Sequence, residues 1–136
     1  MRKIAIGVGL FVAIATGAVL LLRSSDEEKI EKILRQCADA AQSGDPEGII
    51  RHLDPSCTMG EADYAAFCAR IRRDIGQVRG SRIDLGISST VERDEARVSL
   101  QVGVRAAMHD LGRAGYALTM RRSGGDWKIL RVDEIR

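Results

Sequence analysis

The sequence runs to 136 residues, room for one domain. Lys and Arg number 21 against 19 Asp and Glu, and setting aside Arg2, Lys3 and Arg23 near the start leaves 18 against 19. That balance excludes a basic nucleic-acid-binding domain, because the slight positive excess belongs to the N-terminal flank.

Ile4 to Leu22 is a run of 19 residues without a charge, flanked by Arg2 and Lys3 on one side and Arg23 on the other. A helix needs ~20 apolar residues to cross a bilayer. A cleaved signal has an apolar core of about 7–15 residues and a small-x-small site at its exit. Here the run is longer and ends in Leu20-Leu21-Leu22-Arg23, while Ala15-Thr16-Gly17 lies inside it. The expectation is an uncleaved single-pass anchor over 1–23 and a domain over 24–136. Arg2, Lys3 and the amino terminus outweigh Arg23, so the N-terminus is expected inside and the domain outside the cytoplasmic (inner) membrane, in the periplasm of a two-membrane cell. Ala5, Gly9, Ala13 and Gly17 recur on one helix face, the pattern that lets membrane helices approach closely. The competing reading is the ordinary Gly and Ala content of such helices.

Ser25-Asp26-Glu27-Glu28 reads as a capping box, and Ile30, Ile33, Leu34, Cys37, Ala40 and Ala41 form one apolar stripe behind it. Ser43-Gly44 ends that helix. Asp45-Pro46-Glu47 starts a short second one through Ile49, Ile50 and Leu53, which stops before Pro55. Thr58-x-x-Glu61 predicts the cap of a third, with Tyr64, Phe67, Cys68, Ile71 and Ile75 on one face and Gly76 as its stop.

The period then changes to two. Ile83, Leu85 and Ile87 alternate with Arg82, Asp84 and Gly86, and Val91 to Glu95 reads as a turn. From Ala96 to Met108 every even position is apolar: Ala96, Val98, Leu100, Val102, Val104, Ala106 and Met108. Straight, those 13 residues would span ~43 Å, which overhangs a domain whose radius of gyration is near 13 Å. The strand must bend, and Gly103 is the cheapest place for it. Asp110 to Arg113 reads as a turn into Ala114, Tyr116, Leu118 and Met120, and Ser123-Gly124-Gly125-Asp126 as the last hairpin before Trp127 to Val132. The alternation slips at Ile129-Leu130, which predicts a bulge or a strand buried on both faces. The fold class is therefore α+β: an N-terminal transmembrane helix, then three helices packed on a curved four-stranded antiparallel sheet whose concave side the first helix fills.

The run Ala40-Ala41-Gln42-Ser43-Gly44-Asp45-Pro46-Glu47-Gly48-Ile49-Ile50, the long bent strand and the closing Gly124-Gly125-Asp126-Trp127-Lys128-Ile129 resemble the nuclear transport factor 2-like superfamily. The resemblance implies its cystatin-like, cone-shaped α+β fold over about Ser25 to Ile135. It implies no single activity, since that superfamily holds isomerase-like and cyclase-like enzymes, binding modules and membrane-anchored assembly subunits, often dimeric through the sheet.

A site for isomerase-type chemistry needs a carboxylate base and an acid or hydroxyl donor inside the cone. Among the inward positions of the two best strands only Tyr116 carries a polar atom, and no base is found. The ligand-pocket candidates are Tyr116, Trp127, Phe67, Met108 and Leu100. His52 and His109 have no spaced partner and Cys57-x10-Cys68 has no nearby His, so no metal site and no cofactor are expected. In an oxidising compartment two of Cys37, Cys57 and Cys68 would pair. A second helix returning along the first brings Cys57 toward Cys37, which favours that pair over Cys57–Cys68. The outer sheet face offers Arg97, Arg105 and Arg121 as docking candidates, weighed against a merely solvated face. Arg outnumbers Lys 17 to 4, so arginine on a surface carries little by itself.

The expected function is a non-enzymatic, membrane-anchored extracytoplasmic binding or assembly module. Its partners would be the membrane, an unidentified protein, or a second copy met through the sheet face or the transmembrane helix. The alternative is a carrier of small apolar ligands, or a degenerate isomerase- or cyclase-like enzyme, using the cone as a pocket.

Overall fold

The computed structural model describes residues 26–106 and 109–135. The anchor expected over 1–23, with Ala5, Gly9, Ala13 and Gly17, and the cap residue Ser25 lie outside them. No helix among the described residues is long and apolar enough to cross a membrane.

Helix α1 occupies 26–43 and presents Ile30 and Leu34 to the core, with Ile33 and Cys37 half-buried beside them. It ends where Gly44 turns left-handed at φ 71° and the Asp45 amide donates back to the Ala40 carbonyl at 2.8 Å. Helix α2 (Glu47–Ile50) follows with Pro46 at its cap position. Strand β1 (Leu53–Met59) comes next, then helix α3 (Tyr64–Asp74) and a short 3-10 turn (Ile75–Gln77). The remaining strands are β2 (Arg82–Glu92), β3 (Glu95–Ala106), β4 (His109–Ser123) and β5 (Asp126–Ile135).

The sheet has five strands in the order β1-β5-β4-β3-β2, not four, and it is mixed rather than wholly antiparallel: β1 runs parallel to β5 while the other pairs are antiparallel. The segment expected to finish the second helix and enter a loop is this edge strand. Leu53, Asp54 and Cys57 are buried, and Pro55, with no N–H to give to a ladder, is tolerated because β1 has a neighbour on one side only. The cap of α3 is Asp63, whose side chain accepts from the Ala66 amide at 2.8 Å; Thr58, the expected cap, lies in β1. At the other end of the sheet the expected turn at Asp110 to Arg113 is strand instead, since β4 begins at His109, which pairs with Ala106.

Both irregularities in the antiparallel ladder are one-residue bulges, which bend a strand and raise its twist. One leaves Leu111 unpaired opposite the Val104–Arg105 step, one position beyond the expected kink at Gly103. The other leaves Leu130 unpaired opposite Thr119–Met120, where the alternation of the closing strand slips. The even-numbered face of β3 and β4 turns toward the helices. Ala96, Val98, Leu118 and Met120 join Ile30, Leu34, Leu53, Cys57, Phe67, Trp127, Ile129 and Val132 in one core. Gln42 ties the end of α1 to the sheet: its carbonyl accepts from the Gly80 amide at 2.8 Å and its side-chain oxygen from the Ile83 amide at 2.7 Å.

Candidate functional site

On the inward face of β3 burial is complete at Ala96 and Val98 and partial from Leu100 through Ala106. The sheet therefore extends past the helices and leaves a half-covered apolar mouth. Leu100 and Tyr116 stand directly opposite each other there. The pocket candidates do not line one cavity: Trp127 and Phe67 are members of the packed core, and Leu100 and Tyr116 are half-buried against it. Trp127 pairs with Arg122, six residues along β4 from Tyr116, a separation of roughly 20 Å at the rise of a strand. It is 1% exposed and, like Phe67 on α3, belongs to the packed core rather than to a cavity wall. The side chain of Met108 lies outside the described residues.

The mouth holds one ionisable group that sequence reasoning missed. Glu134 pairs with Tyr116 in the β4–β5 ladder and so shares its inward face, at the exposed rim of β5. Burial first, then the Glu134 carboxylate, raises the Tyr116 hydroxyl above the ordinary tyrosine value, so it stays protonated and able to donate at neutral pH. The signal that could have found Glu134 was the bulge itself: one skipped residue at Leu130 returns Val132 and Glu134 to the inward set.

The outer face of the sheet carries short side chains along its middle. Gly86, Ser88, Ser99, Gly103, Gly115 and Ala117 occupy its middle, and a Cβ on Gly115 would meet the Gln101 amide at 3.1–3.2 Å, so the Gln101 side chain lies down across that strand. The three arginine candidates all stand on this face. Arg105 is paired with Asp84 at 2.7 Å and Arg121 reaches Asp54 at 3.5 Å, while Arg97 has no ion-pair partner among the described residues. Asp54 is held below the usual carboxylate range, chiefly by the Ser56 amide that donates to it at 2.8 Å, with Arg121 adding to the effect.

At the end of the sheet where α1 begins, Arg122 gathers three elements. It donates to Asp26 at 3.1 Å and to Asp94 in the β2–β3 turn at 3.0 Å, and its guanidinium lies 5.3 Å from the centre of the Trp127 ring. The Trp127 indole N–H also points to Asp26, at 3.4 Å. Around this group opens a wide charged cleft of about 1320 Å³, bounded by Thr90 to Glu95 and by Arg97, Arg121 and Arg122.

The three cysteines are free thiols here. Cys57 on β1 and Cys68 on α3 are the neighbours: burial raises the Cys57 thiol to about 11 and the Cys68 charge adds to that, whereas Cys37 on α1 is raised to about 12 by burial, against the lowering effect of Arg51. His52 is pulled below its ordinary value by burial and by Arg51 and Lys128. Among the described residues no group of three or more His, Cys, Asp or Glu could hold a metal ion.

No protein-family model and no curated protein matches the sequence. Solved structures do match. A protein from Novosphingobium aromaticivorans with a cystatin-like fold superposes with a TM-score of 0.69 at 22% identity, covering 86% of this chain and 85% of that one. An NTF2-like protein of unknown function from Pseudomonas putida gives 0.70 at 16% identity, covering 82% and 86%. A candidate scytalone dehydratase from the same Novosphingobium gives 0.68 at 19% identity, covering 82% and 84%. At such identities the likeness speaks for architecture, and with the helices laid on one face of a long bulged sheet it identifies the chain as having the cystatin-like fold of nuclear transport factor 2-like proteins.

Proposed function

We propose that the chain is a non-enzymatic, single-pass membrane protein that displays this domain outside the cytoplasmic membrane as a binding or assembly module. The observation that carries the reading is the contrast between the two sheet faces. The inward positions from Ala96 to Ala106 are apolar throughout, whereas the outer face carries small residues along its middle, flanked by arginines. A face with short side chains along its middle lets a partner approach the backbone closely there, and guanidinium groups suit carboxylate partners. The uncharged run over 4–22 supplies the anchor.

The test is affinity capture of the intact anchored chain after crosslinking in membranes, compared with Arg97→Glu combined with Ala117→Glu. Protein partners present for the native face and lost with the altered one, at unchanged melting temperature, support the reading. An unchanged partner set overturns it.

The Tyr116–Glu134 pair favours a second reading, a pocket protein for a small apolar ligand bearing a polar group, and one structural neighbour is a candidate dehydratase. A lipid-like molecule that copurifies with the native chain, and is lost from both Tyr116→Phe and Glu134→Gln, would select that reading over the first.

A further inference from the structure

The position of Asp26 says which end of the domain meets the membrane. If 4–22 crosses the bilayer, four peptide steps separate Leu22 from Asp26, and fully extended they cover at most about 14 Å. The headgroup layer on one side of the hydrocarbon is itself about 5–8 Å thick, so Asp26 lies no more than about 6–9 Å outside the lipid surface. Asp26 is not free to swing away from the domain. Arg122 holds it at 3.1 Å and the Trp127 indole at 3.4 Å, and the same arginine clasps Asp94 at 3.0 Å and the Arg93 carbonyl at 3.2 Å. The two turns at this end, Arg93-Asp94 and Gly124-Gly125, are therefore fixed beside the membrane entry point. Arg93 stands exposed at a turn with φ 56° and has no ion-pair partner among the described residues.

We propose that the end of the domain formed by the β2–β3 and β4–β5 turns rests on the bilayer surface, with Arg93 reaching lipid phosphates. This rests on the anchor in the function proposed above. The sheet then stands upright on the membrane. Leu111, 54% exposed, is carried at the opposite end of β4, roughly 35–40 Å along the strand from Ser123.

The experiment uses the full chain in vesicles of phosphatidylcholine and phosphatidylglycerol that carry a headgroup acceptor dye. A donor dye is placed on Ser123→Cys or on Leu111→Cys. The native chain treated with the same donor dye gives the background from half-buried Cys37 and buried Cys57 and Cys68, which is subtracted. Energy transfer several-fold greater from position 123 than from position 111 supports the proposal, and equal or reversed transfer overturns it. Arg93→Glu should lower transfer from position 123 on anionic vesicles, and no change would overturn the phosphate contact. A chain that fails to float with vesicles after an alkaline wash removes the anchor and this proposal together. A chain that floats but shows equal transfer sinks the orientation alone.

Discussion

Gly48 is where the packing of the first two helices can be tested most sharply. A Cβ at this position would lie 2.6 Å from the Ala40 Cβ and 3.0 Å from an Asp45 carboxylate oxygen. Carbon atoms in contact prefer ~3.5–4.0 Å, so α1 and α2 would have to separate by about 1 Å. The Ala40 Cβ is fixed to a helix backbone and cannot rotate out of the way. Forcing a methyl into such a space costs ~1–3 kcal/mol, and the better helix propensity of alanine returns at most about 1. Gly48→Ala should therefore destabilise by ~1–2 kcal/mol, which lowers the melting temperature of a domain this size by roughly 4–10 °C. Ala40→Gly should cost about 1 kcal/mol on its own from helix propensity. In that background the clash with the helix-fixed Cβ is gone, only the rotatable Asp45 carboxylate remains close, and adding Gly48→Ala should cost nothing or stabilise. The assay is thermal unfolding of the full chain in detergent, followed by circular dichroism, for both single variants and the double. Equal effects of Gly48→Ala in the two backgrounds would refute the close approach, as would a single variant at least as stable as the native chain.

Two further predictions concern the core and its charged edge. Ile30 is fully buried, so Ile30→Ala should cost ~2–5 kcal/mol, and Ile33→Ala, half-buried on the same helix, clearly less; equal losses would mean that α1 is rotated from the orientation described. Asp54 has a folded pKa below its ordinary value of 3.8, so its ionised form stabilises the fold above that value, and the contribution is lost as pH falls through the depressed folded value. Asp54→Asn should therefore melt below the native chain at pH 7, by about 1 kcal/mol given the exposure of Ser56, and the gap should close as pH falls from 7 through the ordinary value of 3.8 and below it. A gap that stays constant across that range would refute the role of the charge.

The long strands were legible because period-two alternation is a direct imprint of one buried face. Ala96 through Ala106 and Ala114 through Met120 read correctly from side-chain character alone, and the slip at Ile129-Leu130 announced its bulge. Strand β1 was not legible. It is short, it carries Pro55, and its partner β5 lies some 75 residues further on, so its pairing depends on a parallel neighbour that no local pattern encodes. The cap of α3 was misplaced for a related reason. Thr58-x-x-Glu61 satisfies the local capping pattern, but Thr58 is already committed to the ladder opposite Arg131, leaving Asp63 to cap. Of the candidate site, Arg97, Arg105 and Arg121 were placed on the outer face because odd positions of β3 and β4 point away from the apolar ones. Glu134 was hidden because its facing depends on the skipped residue.

The charge pattern of the outer face bears on what it can receive. Arg97 near one end and Arg113 near the other have no ion-pair partners among the described residues, while Arg105 and Arg121 are partly neutralised by Asp84 and Asp54. A second copy could meet this face about a two-fold axis along the strands or across them. Along the strands, Arg97 opposes Arg97 and Arg113 opposes Arg113. Across them, Arg97 opposes Arg113 twice, and with the anchor proposed above the two ends joined to it would point in opposite directions, roughly 35–40 Å apart along the strands, which one membrane would not accommodate. Both arrangements set cation against cation, at about 0.7 kcal/mol for each pair 6 Å apart in water and more once the interface excludes it. Acidic side chains on a different protein reverse that sign. The outer face is therefore better suited to an acidic partner than to its own copy.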